Sequence, residues 1–430
     1  MPLEAVAQDW LGSWNETPGW LDDRERSEGR GFRAGDLELH PGLGVEGGWD
    51  SNIYFSESSP VDSALLRVSP HLLVSTIGAD RLEESGNKEL PSIIFKGGVN
   101  GAFYHYFENN TRDNMSAGAT MDLTLNPGRI FSVDFHERFL RSIRPFTQAI
   151  NSASPYNFAR DRNNVGVDAI LSSRGGVLTG RLGYDFGFDY FEEQLFRFGT
   201  NLRHDIHGSM SWSFLPHTSI VYEASLDIQD YTDANSGAAT TLLSDNQRFR
   251  TRLGLNGALT QRLSFSIFGG YSVGFYEVAE EFNSLIAQAE LRYKLFENVK
   301  LTLGYDREYY SSFLGNFYRS DRGYFNVNTI VAGRLMLGLQ ADLAYLDYGQ
   351  ALAPDGSFVG DSPDRKDVRA SGKLFAEYRV KDWWAFSGSL AYLGTFTDFR
   401  YVVDQGTTGT FLDPARFSKF EAWLGTRVFF

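Results

Sequence analysis

The sequence predicts an all-β protein, a transmembrane antiparallel β-barrel of about 18 strands with short periplasmic turns and longer extracellular loops. Three observations predict it: apolar residues recur at every second position, connections alternate between short and long, and many aromatics coexist with low mean hydropathy.

The alternation is clearest where Gly180, Leu182, Tyr184, Phe186, Phe188 and Tyr190 interleave with Arg181, Asp185 and Asp189. A two-residue period gives a strand one apolar and one polar face. Leu202, Ile206, Met210, Trp212 and Phe214 likewise oppose Asn201, Arg203, Asp205, His207, Ser209 and Ser211, and Ile220, Tyr222, Ala224, Leu226 and Ile228 oppose Glu223, Asp227 and Gln229. Strands are expected at 36–49, 63–76, 92–106, 114–125, 129–142, 163–172, 176–191, 197–214, 218–231, 247–259, 263–277, 283–295, 299–313, 321–332, 335–348, 367–380, 384–398 and 416–430. Their number is even, as single-chain bacterial barrels require.

Connection lengths provide an independent check. Asn126-Pro127-Gly128, 172–176, Leu215-Pro216-His217, Thr260-Gln261-Arg262, 296–299, Ala332-Gly333-Arg334 and 381–383 are tight turns. Between them lie 143–162, 191–196, 231–246, 278–282, 314–320, 349–366 and 399–415, mostly longer and rich in Ser, Asp, Asn, Gly and Pro; 77–91 is the one long connection on the short-turn side. The terminal alternation Phe420, Ala422, Leu424, Thr426, Val428, Phe430 closes on an aromatic residue and resembles the C-terminal signature of outer-membrane barrels.

Aromatics make up 15% of the 430 residues and mean hydropathy is −0.29. No apolar run approaches the roughly 18 residues of a membrane helix, which excludes a helical membrane protein. A net charge of −14 argues against a nucleic-acid partner. The absence of Cys removes disulfides, thiolate metal sites and cysteine nucleophiles, and is compatible with passage through an oxidising periplasm.

Ala5-Val6-Ala7 reads as a small-x-small cleavage site without the basic and apolar regions that should precede it. Residues 1–35 are therefore expected to be a truncated signal remnant and a periplasmic extension carrying Trp10, Trp14 and Trp20, with the mature chain starting near Gln8 and the barrel occupying 36–430.

No catalytic, metal or cofactor set emerges from spacing. Gly42-Leu43-Gly44-Val45-Glu46-Gly47 matches a dinucleotide-binding pattern by letter but lies within strand alternation. His136-Glu137 lacks a second His at helical zinc spacing, and Asp355, Asp361 and Asp364 read as a solvated acidic loop before a calcium site. Asp62, Ser63 and His71 are close in sequence, but no Gly-x-Ser-x-Gly elbow accompanies them. A non-enzymatic barrel is expected, with its functional surface in the lumen. The pore-lining candidates are Asp185, Arg203, Asp205, His207, Glu223, Asp227, Arg248, Arg250, Arg252, Glu290, Arg292, Lys294, Arg369, Lys373 and Glu377. They mix both signs, whereas ion-selective rings carry one.

The run Gly42 to Phe55, containing Trp49-Asp50-Ser51-Asn52, together with Asp62-Ser63-Ala64-Leu65-Leu66-Arg67-Val68-Ser69-Pro70, resembles the opening of the β-barrel porin-2 group. It is similar there to the polysaccharide-export barrels of the Wzp type in myxobacteria. The resemblance implies a passive outer-membrane conduit for an exopolysaccharide or capsular polysaccharide in a Gram-negative bacterium. Its partners would be outer-membrane lipids, the polysaccharide cargo and a periplasmic polysaccharide-export protein. The alternative is a general or substrate-selective diffusion porin, in which a long loop such as 143–162 folds inward as a constriction.

Overall fold

Alternating apolar and polar residues satisfy both sides of a strand only when one face meets lipid and the other meets a polar interior, and closing the sheet removes the unpaired edges that lipid cannot solvate. The computed structural model describes residues 29, 31–76, 91–108, 112–143, 159–233, 243–278, 281–312, 315–352, 357, 359–404 and 410–430. Its strands are β1 (Phe32–Ala34), β2 (Leu37–Asp50), β3 (Ser63–Ser75), β4 (Ile93–Tyr106), β5 (Asn114–Leu125), β6 (Phe131–Ser142), β7 (Arg160–Ser172), β8 (Leu178–Phe191), β9 (Asn201–Leu215), β10 (Thr218–Tyr231) and β11 (Asn246–Ala258). They continue with β12 (Leu263–Tyr276), β13 (Phe282–Phe296), β14 (Val299–Ser311), β15 (Phe317–Val331), β16 (Leu335–Tyr348), β17 (Lys366–Lys381), β18 (Trp384–Phe396), β19 (Arg400–Asp404), β20 (Thr410–Pro414) and β21 (Phe417–Phe429).

The main sheet has 19 strands, of which short β1 only adds to the start of β2. The other eighteen, β2 to β18 and β21, pair antiparallel in chain order. The ring closes where β2 meets β21, from Gly42↔Phe429 to Asp50↔Glu421.

The outward face carries Leu182, Leu285 and Leu424 at 66%, 70% and 76% exposure. A sheet that shows leucines like these all round its circumference faces lipid. Trp212 and Phe214 by one short turn, and Trp383, Trp384 and Phe386 by another, place aromatics at one rim, as at a membrane interface. No helix among the described residues is long and apolar enough to cross a membrane. Replacing Leu253, on the outer face midway along β11 and 57% exposed, by Arg should cost about 2–4 kcal/mol if it lies near the bilayer midplane. Urea unfolding of the barrel in lipid vesicles measures this. At the opposite rim the outward face turns ionic, with Arg141 2.8 Å from Glu192 and Arg319 3.1 Å from Asp347. The wall there stands in water.

Three of the short turns, 126–128, 172–176 and 332–334, bend through left-handed backbone. Ala332 and Gly333 have φ of 50° and 69°, and Arg334 N–H bonds to the Val331 carbonyl at 3.1 Å, which is a tight hairpin turn of the primed type. Ala332 is the strained member. Ala332→Gly should therefore change stability by no more than about 1 kcal/mol, and upward, because the relief of strain outweighs the added chain entropy. The same urea titration reads it.

The strand expectations stand with shifted ends. Gln194–Gly199 is a 3-10 turn rather than the start of the strand expected at 197–214. Phe196 and Phe198 alternate in sequence, yet both are 5% exposed, because the turn rather than a strand buries them. β15 begins at Phe317, ahead of the expected 321, and β19–β20 form a separate hairpin within the last long connection. The residues from Gly29 to Gly35 that are described include β1, which pairs with Leu37–Leu39; the rest of the 1–35 extension, with Trp10, Trp14 and Trp20, lies outside the described residues.

Candidate functional site: the barrel lumen

Strand register decides which side chains share the interior. On β2 the buried Glu38, Glu46 and Asp50 alternate with exposed Leu37, Leu43, Val45 and Trp49, and the same parity carried through the ladders sets every other strand. All fifteen candidate residues fall on the inward side, and the structure places most of them in ion pairs with their neighbours.

On β9 to β11 the pairs form a continuous row. Asp227 accepts from Arg203 Nη2 at 2.5 Å and from Arg248 Nη2 at 3.1 Å. Arg248 also donates to the Tyr309 carbonyl at 2.6 Å. Glu223 pairs with Arg252, whose guanidinium lies 5.0 Å from the Phe268 ring and 3.4 Å from Gln288 Oε1. Arg250 reaches Glu308 on β14 at 3.5 Å, skipping two intervening strands. Glu290 accepts from Arg292 and from the Tyr324 hydroxyl, both at 2.5 Å. Lys294 is exposed near the short-turn rim. On β17, Arg369 donates to Thr395 Oγ1 at 3.4 Å, Lys373 is half-buried, and Glu377 is bridged by Arg427 at 2.8 Å and Arg379 at 3.2 Å.

Asp185, Asp205 and His207 belong to a second group. His207 lies 2.8 Å from Asp205 and 2.9 Å from Asp168, while His136 lies 2.8 Å from Asp185. Strands β6 to β9 supply these residues in two adjacent rows, His136–Gly166–Asp185–Asp205 and Asp134–Asp168–Gly183–His207. Asp185, Asp205 and His207 bring one candidate ligand atom each to within 4.8 Å of the others. Spacing along the chain cannot reveal this set, since its members meet only through register; this revises the expectation of no metal-ligand grouping.

Sequence reasoning also missed the filling of the outer lumen. The connection after β2, residues 51–62, turns inward, and Ile53, Tyr54 and Phe55 are at most 5% exposed. Asn52 anchors it: Nδ2 donates to the carbonyls of Ser56 at 2.7 Å and Ser418 at 3.1 Å, and Oδ1 accepts from Ser56 N–H at 2.9 Å. Asp50 accepts the Asn52 N–H at 2.9 Å and holds Lys419 at 2.7 Å. Phe55 stacks on inward-facing Phe417, ring centroids 4.8 Å apart. Ile53 and Tyr54 pack with Leu65, Tyr104, Tyr106 and Trp423. Below them Arg67 pairs with Glu46 at 2.7 Å and lies 4.2 Å from the Trp423 ring. The Asp-Ser-Asn element is thus the anchor of an inward loop. The expected constriction 143–162 lies largely outside the described residues, as does Asp355.

Other candidates do not assemble. Gly42 to Gly47 lies within β2, with no helix following it. Ser63 and His71 are eight residues apart on β3, about 26 Å at strand rise, too far for a triad with Asp62.

A closed eighteen-stranded barrel with a leucine-rich outer face is an integral outer-membrane protein. No family model matches the chain. No curated protein matches it either. Among solved structures it is similar to OccK2 (OpdF) from Pseudomonas aeruginosa, determined in complex with glucuronate, at 10% identity and TM-score 0.47, covering 93% of this chain and 99% of that one. It is similar also to the FrpB iron transporter from Neisseria meningitidis, at 8% identity and TM-score 0.47 over 91% and 81% of the two chains. The siderophore receptor PirA from Pseudomonas aeruginosa shows 9% identity and TM-score 0.43 over 91% and 80%. Likeness at this level carries no argument about cargo.

Proposed function

We propose that this protein is a passive outer-membrane channel and that its cargo is an exported surface polysaccharide, received from a periplasmic polysaccharide-export protein. The observation that carries the channel reading is the inner wall, where charges of both signs neutralise one another and are interleaved with Tyr104, Tyr276, Tyr310 and Tyr324. A hydrated glycan passing such a wall meets hydroxyls and compensated charges rather than one deep minimum, and conduction depends on weak repeated sites. The resemblance of Gly42–Phe55 and Asp62–Pro70 to polysaccharide-export barrels supports the choice of cargo.

Cells lacking only this chain test the reading. They should lose surface polysaccharide and recover it when the intact chain is restored; unchanged polysaccharide refutes export.

A second reading, a diffusion porin for small hydrophilic solutes, is favoured by one observation. Residues 51–62 fold into the outer lumen and narrow it, as a constriction loop does. Uptake of neutral sugars into liposomes bearing the barrel, falling off sharply with sugar size, would select it.

A further inference from the structure

Gly183 lies opposite His207 in the β8–β9 ladder, and Gly166 lies opposite His136 in the β6–β7 ladder. Each glycine leaves space for an imidazole to lie across its strand. A Cβ added at Gly183 would fall 2.3 Å from His207 Nε2, and one at Gly166 would fall 2.3 Å from His136 Nε2. His207 thereby reaches over β8 to Asp168, and His136 over β7 to Asp185.

We propose that Asp185, Asp205 and His207 form a binding site for a divalent transition-metal ion on the lumen wall. Convergence of their ligand atoms within 4.8 Å is the first observation. The second is Asp205 itself. Its side chain is 9% exposed, and its Oδ2 has no hydrogen-bond partner among the described residues. A buried carboxylate oxygen without a donor is costly, and a cation beside it removes that cost.

The supports of the ligands are already in place. Metal-binding histidines use one ring nitrogen for the ion and give the other to a carboxylate, which fixes the ring. His207 Nε2 lies 2.9 Å from Asp168 Oδ1, and Asp168 is held by Arg181 at 3.0 Å. His207 Nδ1 is therefore the nitrogen turned toward Asp205, at 2.8 Å. His136 Nε2 fixes Asp185 from the other side at 2.8 Å. One imidazole nitrogen with two carboxylates, and open positions toward the lumen, suits Zn²⁺ or Co²⁺. Ca²⁺ and Mg²⁺ prefer all-oxygen sites.

The test uses the full chain without an affinity tag, folded in detergent, stripped with chelator and titrated with Co²⁺ alone while its visible absorption is recorded. One equivalent should bind and be displaced by Zn²⁺. Asp205→Asn and His207→Gln should abolish binding, and His136→Ala should weaken it by roughly 10–100-fold, with heat-modifiable migration on gels showing that each variant is folded. Asp185→Asn, at a ligand more exposed than Asp205, gives the same test if either of the first two variants does not fold. A folded wild-type barrel that takes up no Co²⁺ overturns the proposal, as do folded ligand variants that bind it as tightly as wild type.

Discussion

Arg67→Ala is expected to destabilise the barrel by about 3–5 kcal/mol. Arg67 and Glu46 are 1% and 4% exposed, and the guanidinium meets the carboxylate through Nε at 2.8 Å and Nη2 at 2.7 Å. Among the described residues, truncation leaves buried Glu46 with only the Ser387 hydroxyl, 3.4 Å away, and removes the stack on Trp423. The cost arises from stranding a charge, so removing both charges should cost far less: the double variant Glu46→Leu with Arg67→Leu should recover most of the loss. Arg427→Ala should be milder, because Glu377 keeps Arg379 at 3.2 Å. Urea unfolding in lipid vesicles ranks the three. Equal losses for Arg67→Ala and the double variant would show that packing, not the stranded carboxylate, sets the cost.

The second large effect concerns the inward loop. Asn52→Ala removes three side-chain hydrogen bonds that hold residues 51–62, together about 1.5–4.5 kcal/mol at the usual net value of each bond. Phe55→Ala in addition removes the stack on Phe417. The double variant should release the loop from the wall and raise single-channel conductance severalfold, with more open-state noise. Because the chain has no Cys, a Phe55→Cys, Phe417→Cys pair reports the loop position directly. It should cross-link on mild oxidation in the otherwise intact barrel, and the link should be lost when Asn52→Ala is added. Failure to cross-link, with both thiols shown to be reactive, would place the loop elsewhere.

Much of the architecture was legible in the sequence because a barrel strand writes its two environments at alternate positions. The strands 114–125, 218–231 and 335–348 match the observed ones to the residue. Pattern fails where a side chain's environment is set by distant chain. Asn52 is anchored to Ser418, which lies 366 residues away, so nothing local to 51–62 distinguishes an inward loop from a solvated one. Phe196 and Phe198 mimic a strand while lying in a 3-10 turn. The parity that puts the charged candidates on one face of their strands was legible from the alternation, but their partners were not. Arg250 meets Glu308 across two strands, and Asp185 meets Asp205 and His207 only once the β8–β9 register is fixed.

Planar-bilayer recording from the purified wild-type barrel tests the central claim most directly, that an ion-paired polar wall encloses a passage through the membrane. The account predicts ohmic, voltage-independent conductance with weak preference between cations and anions, because Arg248 and Arg252 are offset by Asp227 and Glu223. A folded barrel that carries no current, both as wild type and with Asn52 and Phe55 replaced by Ala, would contradict it.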